Sequence, residues 1–579
     1  MRKRLAAAVT MSFGGFLAQL DEGLSSLVGQ WNVYSTAIVT LLAVLVTYSI
    51  TSRVEPEIHP MLLARQGHGS PVRQEGESPI YRSNAAPHSM PLNSGLNVKE
   101  AGASKWSQGR DGDLRDVWRK AISGPSEGEG AKGKGRILTV LGREKVIEHK
   151  LDDVTRQINL VGQYISSQGG KKVAIYLPNS VELIATLFAC SFYNITAILL
   201  PYDQSDAAII SMLQQSGADT VVTCPGTFPF DSVVKSYPAL RQLIWVVDEG
   251  SNHLDWNEVP KGMGGKVNVS TWQDILNEPP QTAGTELPSA DNQAAAPDVV
   301  MFWVSKNDSV EEMVRFTQGN LVAAISAQLV AIPTKERFSP ADLFLPAAPL
   351  SSSYALILTL VALYSNASVA FNSVAGASPD LALATQGISP TIIVTTPETL
   401  SKTHAETKGK VASALASLSH WVQTRSLVQN GVMPVASFLA SYNDSLYPRL
   451  GTEPGKLRLL YVAHPANGNN SPLLSELTLS DLRIFTGARV IYALAAAQCA
   501  GAVAQTQFHD YRVSGNGKGS HFGPPVSSTE ILLRDTGSYK ITDDSYTGAV
   551  VVRGPAIVGG EATPGLVATI RDDNTISVV

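Results

Sequence analysis

The chain has 579 residues, enough for more than one domain, with 44% hydrophobic and 16% charged residues, as in a globular protein. A formal net charge of −5 argues against a basic nucleic-acid footprint. Cys190, Cys224 and Cys499 are odd in number and far apart, which argues against a disulfide framework and against a metal site.

Residues 1–33 begin with Arg2, Lys3 and Arg4 and continue as an apolar segment. A targeting peptide and a membrane-surface helix both remain open for it. Residues 34–50, Y-S-T-A-I-V-T-L-L-A-V-L-V-T-Y-S-I, carry no charge, and with Trp31 and Val33 the run approaches the ~20 residues that cross a bilayer. Trp31, Tyr34 and Tyr48 stand near its ends, as interfacial aromatics do. The expectation is one transmembrane helix, with Arg53 and Arg65 placing the main domain on the cytosolic side, at the endoplasmic reticulum. Residues 51–135 are rich in Pro, Ser, Gly and charge, without periodicity, and read as an extended arm and linker. Gly128 to Lys134 imitates a G-x-x-x-x-G-K spacing. Gly135 follows instead of Ser or Thr and no strand precedes, so the segment reads as a loop.

From Arg136 a strand–helix rhythm begins. Strands are expected at 137–141, 172–176, 197–200 and 220–223, with helices at 144–168, 181–192 and 206–216. This alternation predicts mostly parallel sheet with helices on both faces. Residues 298–304 are the next strand and 319–331 the helix after it. The helix 354–364 is apolar all round but for Thr359 and is expected in the core. Toward the end, 521–525, 530–535 and 548–555 have the short alternation of antiparallel strands.

Residues 302–321 read F-W-V-S-K-N-D-S-V-E-E-M-V-R-F-T-Q-G-N-L. Val314, Thr317, Asn320 and Leu321 match the end of a Y-T-S-G-T-T-G-x-P-K-G-V-x-x-T-H-x-N-L phosphate loop, with Gln318 at the His. V-A-I-Y-L-P-N-S-V-E-L, A-I-L-L-P-Y, Pro349-Leu350, K-L-R-L-L-Y-V-A-H-P and G-A-V-V-V-R-G-P follow in the matching order. On these strings the chain resembles the adenylate-forming (AMP-binding) superfamily, most closely fungal-type long-chain acyl-CoA synthetases. The resemblance implies an α/β fold over 136–579: two doubly wound subdomains and a small distorted β-barrel, preceded by the transmembrane helix. Against that family's pattern, the small C-terminal lid domain, with its second lysine, is expected to be missing.

At the positions where that family does chemistry, this sequence departs from it. The loop glycines fall on Lys306, Ser309 and Met313 and the preceding position is Ser305. The loop lysine falls on Glu312, beside Asp308 and Glu311. A phosphate loop needs glycine so that backbone N–H groups can turn to the ligand, and a cation beside the phosphates. The family's Thr-Glu pair falls on Ala495 and Ala496, or on Ala497 and Gln498 one slip later. The ribose-binding Asp falls on Leu566. His464 is the one histidine near these motifs. The expectation is no catalytic residue, no metal ligand and no cofactor. The protein would be a membrane-anchored, catalytically inactive acyl-CoA synthetase-like protein that binds a lipid or long-chain acyl group, or an active paralogue. The alternative is a divergent long-chain fatty acid–CoA ligase or acyl-AMP ligase, which would require ATP, Mg²⁺ and CoA.

Overall fold

The structure is a computed structural model. It describes residues 29, 32–51, 55–100, 102–104, 106–125, 133–141, 145–247, 267–280, 282–288, 295–304, 310–372, 380–434, 441–453, 455–466, 471–513, 519–543 and 545–579. The chain divides into two units, 1–56 and 57–579.

In the first unit, Val33–Thr51 is an α-helix of 19 residues, covering the stretch read as a membrane span. Among the described residues no helix is long and apolar enough to cross a membrane. An apolar helix thus occupies the stretch expected to span the membrane.

The second unit holds three sheets. One has the spatial order Val310–Phe316, Val299–Val304, Thr196–Leu199, Lys172–Tyr176, Thr220–Thr223, Gln242–Trp245, Asn268–Thr271, parallel except for its first strand. Another runs Ala504–Gln505, Arg489–Ala495, Leu459–Pro465, Ile392–Thr395, Leu343–Pro346, Ser368–Asn372, Ile137–Leu141, Lys145–His149, parallel except at its two ends. These are the two doubly wound bodies expected from the strand–helix rhythm. The third sheet is antiparallel: Gly67–Gly69, Tyr81–Ser83, Glu530–Arg534, Thr547–Arg553, Val567–Ile570, Ile576–Val578, with Glu561–Ala562 added to Thr547–Arg553. Its first and last strands are joined by Gln66 N–H donating to Asp573 O (2.9 Å) and Asn574 Nδ2 donating to Gly67 O (2.7 Å).

The arm expected over 51–135 is, from Glu57 onward, part of this second unit. Two of its short segments are strands of the third sheet, and Leu114–Ser123 is a helix whose Trp118 is fully buried. Composition hid this, because short strands with few apolar residues carry little periodicity. Glu57 fastens the arm. Its carboxylate accepts from Arg489 Nη2 (2.9 Å) and Tyr511 OH (2.6 Å) and lies 2.8 Å from His509 Nδ1.

The helix Ser353–Tyr364 is buried from Ser353 to Leu363 and packs against helices Gln318–Val330 and Leu114–Ser123. Its uniformly apolar surface follows from having neighbours on every side. Thr359, the polar exception, returns its hydroxyl to Ala355 O at 2.8 Å.

The residues that carried the sequence match are architectural. Thr317 caps the helix Gln318–Val330, and Asn320 completes a capping box by accepting from Thr317 N–H at 2.9 Å. Asn320 Nδ2 also donates to Pro555 O (2.8 Å) and Ile557 O (3.1 Å), beside the third sheet. Gln318 accepts from Leu114 N–H and donates to Pro297 O. Asn179, from the L-P-N-S string, is buried and donates to Pro346 O and Ala348 O while accepting from Leu350 N–H. Each holds one element against another, and none needs a nucleotide.

Candidate functional site

Parallel strands place the crevice for a ligand outside their carboxyl ends. Here the ends of Val299–Val304, Leu343–Pro346, Ile392–Thr395, Leu459–Pro465 and Arg489–Ala495 border a cavity of about 150 Å³. Trp303, Tyr354, Thr395, Glu398, Ala463 and Ala495 are among its lining residues. A roomier surface cleft of about 360 Å³ lies elsewhere, between Gln66, Arg337, Gln505 and His509.

The expected phosphate-loop positions Ser305, Lys306 and Ser309 lie outside the described residues. What is described after them is a strand, Val310–Phe316, antiparallel to Val299–Val304. Glu312 is the direct partner of Trp303 in that ladder, so the two side chains share a face. Gln498 Nε2 donates to Glu312 Oε1 at 2.6 Å. In the expected register that puts the Thr-Glu pair on Ala497 and Gln498, this bond joins the carboxylate position to the lysine position. Ala495 and Ala496 are buried at 5% and 3% exposure. Ala495 lines the cavity with a methyl group and offers no oxygen to a cation. Leu566 follows Gly565, whose φ of +70° keeps a tight turn, and packs at the edge of the core.

Glu398 stands just inside the helix Pro397–Lys410, capped by Thr396, and accepts from Ser471 Oγ at 2.5 Å. Tyr354 OH and Thr395 Oγ1 are buried and have no hydrogen-bond partner among the described residues. Burial pushes the Tyr354 phenol well above its ordinary range, so it stays an O–H. Among the described lining residues none is cationic.

His464 is not in the cavity. It alternates with Ala463 and Pro465, which line it, and faces Tyr492 and Phe522 with ring centroids 6.5 and 5.8 Å away. Burial lowers its pKa to about 4, against an opposing pull from Glu398. The helix over Ala355–Leu363 touches the cavity only through Ala355. Farther along, Gly501 closes against Ala324 and Ile357, where a Cβ would meet carbons at 3.5 Å.

Sequence reasoning did not single out Trp303, Tyr354, Thr395 or Glu398. Strand-end position was the available signal: Trp303 and Thr395 sit at carboxyl ends of parallel strands, and Glu398 one residue into the helix that starts at Pro397.

A model of the family described as AMP-binding enzyme matches residues 151–560. No curated protein matches by sequence. Similar solved structures include the anthranilate CoA ligase AuaEII in complex with anthranoyl-AMP, at TM-score 0.56 and 14% identity, covering 81% of this chain and 77% of that one. The inhibitor-bound N-terminal domain of FACL13 from Mycobacterium tuberculosis matches at TM-score 0.54 and 12% identity, covering 81% and 99%. A protein of Rhodopseudomonas palustris CGA009 assigned as a long-chain-fatty-acid CoA ligase matches at TM-score 0.54 and 15% identity, covering 81% and 98%. At these identities the likeness is one of fold.

Proposed function

The chain belongs to the AMP-binding enzyme family, and from that premise we propose that it is a member that binds without turning over. The observation that carries this reading is the bond from Gln498 to Glu312. Where relatives by sequence pattern hold a lysine and a magnesium-binding carboxylate, this cleft holds a carboxylate and an amide. Adenylation needs cations and oriented donors around a phosphoryl group gaining charge. Glu312 is the wrong sign for that group, and Ala495, Ala496 and Leu566 supply no ligand. The described donor set does not fit a magnesium-bound triphosphate.

Binding in place of catalysis leaves a scaffold for another protein or a carrier of a small ligand. A cavity of about 150 Å³ is small beside the ~300–1,000 Å³ of ordinary ligand pockets, which favours the scaffold over a long-chain acyl carrier. Attachment to the endoplasmic reticulum membrane through the apolar stretch 34–50, with the second unit in the cytosol, belongs to the same reading. Its support is an uncharged helix at Val33–Thr51 whose large apolar side chains from Val33 to Val44 are exposed.

The test is calorimetry with ATP and Mg²⁺ on the full chain, together with pyrophosphate exchange in the presence of fatty acid. Neither heat nor exchange is expected. A micromolar ATP affinity, or exchange above background, would establish the divergent-ligase alternative instead.

A further inference from the structure

The helix Ala414–Asn430 turns the wrong face outward. The arc against the protein carries Ala416, Ser419, Gln423 and Leu427, all buried. Beside the small apolar cluster of Ala416, Leu427 and Phe485, polar contacts hold that arc in place. His420 Nε2 lies 2.9 Å from Asp481 Oδ1, Tyr447 OH donates to Gln423 Oε1 (2.7 Å), and Asn443 Nδ2 donates to Ala416 O (3.0 Å). The opposite arc carries Leu415, Leu418, Trp421 and Val422, which are 63%, 51%, 56% and 38% exposed. Leu415, Leu418 and Val422 have the i, i+3, i+7 spacing of one stripe, which an ordinary surface helix points at its core. Four large apolar side chains within about two turns make a patch of the kind that marks an interaction surface. The helix has no carboxylate, and its one arginine, Arg425, holds its guanidinium 5.7 Å from the centroid of the Trp421 ring.

The occupant of that face is indicated by where the N-terminal segment joins the second unit. Glu57, the first residue of that unit, is bonded to the end of this same helix. Its N–H donates to Gly431 O (3.1 Å), and Met433 N–H donates to its Oε1 (3.2 Å). Gly431 is the left-handed cap that ends the helix. Thr51, the last residue of the uncharged helix Val33–Thr51, comes only six residues before Glu57, a tether of at most ~22 Å. We propose that Ala414–Asn430 lies in the plane of a lipid bilayer as a second membrane contact of this chain. Leu415, Leu418, Trp421 and Val422 enter the boundary between headgroups and acyl chains. This contact rests on the reading that residues 34–50 attach the chain to a membrane. The short tether then keeps the bilayer within reach of the helix. Trp421 suits that depth, because an indole has an apolar body and a polar N–H. Arg425 lays its stem along the ring and keeps its charge at the headgroups. With no carboxylate on the helix, lipid phosphates meet no opposing charge from it.

The experiment places the full chain in vesicles of equal parts phosphatidylcholine and phosphatidylserine that contain a photoactivatable phosphatidylcholine. Labelled peptides are then mapped by mass spectrometry. Labelling is expected in both Val33–Thr51 and Ala414–Asn430. The double variant Leu418→Glu, Trp421→Glu puts two charges on the exposed arc. It is expected to cut labelling of Ala414–Asn430 by at least about fivefold and leave that of Val33–Thr51 unchanged. Its melting temperature should stay within a few degrees of the unmodified chain's. Leu383→Glu, at another exposed apolar side chain, is the control that changes neither. Labelling confined to Val33–Thr51 in the unmodified chain would overturn the in-plane contact and leave the attachment standing. Labelling of neither stretch would overturn both this inference and the reading it rests on. Labelling of Ala414–Asn430 unmoved by the two glutamates would mean nearness to the bilayer without insertion, and overturns the proposal. An equal loss in Leu383→Glu would mean general charge repulsion, and also overturns it. Self-association in mild detergent that the two glutamates abolish, with Ala414–Asn430 unlabelled in vesicles, would assign the face to a second copy of this chain instead.

Discussion

Gln498 and Glu312 lie 186 residues apart in sequence and meet at 2.6 Å, amide to carboxylate. One comes from the turn after the strand Arg489–Ala495, the other from the strand Val310–Phe316, so the bond ties the two doubly wound bodies together.

That contact is testable by a double-mutant cycle on Glu312→Ala and Gln498→Ala. A hydrogen bond to a charged group is worth ~1.5–3 kcal/mol when desolvated, and Glu312 is only half-buried, so a coupling near ~1 kcal/mol is expected from chemical denaturation. The exchange pair Glu312→Lys with Gln498→Glu should fold and still show no pyrophosphate exchange, because Ala495, Ala496 and Leu566 remain. Turnover in the exchanged protein would mean that these two positions alone had silenced it.

Asn320 is 8% exposed and serves both the helix cap at Thr317 and two carbonyls, Pro555 O and Ile557 O. Asn320→Ala removes a cap worth ~1 kcal/mol and leaves buried polar groups unpaired at ~1–3 kcal/mol. A loss of about 3 kcal/mol is expected from urea unfolding, with Asn320→Asp recovering the cap and not the two carbonyl bonds. A loss below ~0.5 kcal/mol would show that water replaces both.

His464 gives stability a dependence on pH. Its folded pKa of about 4 lies below the ordinary 6.5, so between those values the unfolded chain binds a proton that the folded chain refuses. Stability therefore falls as pH is lowered from 6.5 toward 4. Buried His521 is shifted in the same direction and shares part of the effect. His464→Phe, which keeps an aromatic ring between Tyr492 and Phe522, should reduce the slope of melting temperature against pH in that window and leave a remainder. An unchanged slope would place the whole dependence elsewhere.

Glu57 acts at lower pH. Burial works to raise its carboxyl, but hydrogen bonds from His509, Tyr511 and Arg489 outweigh it and bring the pKa from 4.5 to about 2. A depressed carboxylate contributes stability above its unfolded pKa and loses it as pH falls toward the folded one. Between pH 4.5 and about 2 the arm should loosen, seen as lower hydrogen-exchange protection factors, taken against the intrinsic rate at each pH, in residues 57–66. In Glu57→Gln the protection factors there should be low already at pH 6 and unchanged by acid; protection retained at pH 6 would mean that other contacts hold the arm.

The sequence by itself determined the family, the strand–helix rhythm from Arg136, the central apolar helix and the antiparallel end. Each is written in local periodicity or in strings such as L-P-N-S and T-Q-G-N-L, whose Asn179, Thr317 and Asn320 join neighbouring elements. It also names where the chain departs from the family's motifs, because a glycine or a carboxylate missing from a motif is visible without coordinates. Only the tertiary structure decided that the arm from Glu57 is built into the fold, because its anchors, Arg489, His509 and Tyr511, lie more than 400 residues away. Only the structure set Gln498 against Glu312 and turned His464 away from the cavity that Ala463 lines. Side-chain direction along a strand has period two, so a motif can name the strand and leave the face open. Which groups meet across two sheets depends on how their ends converge, and no local pattern in either strand encodes that.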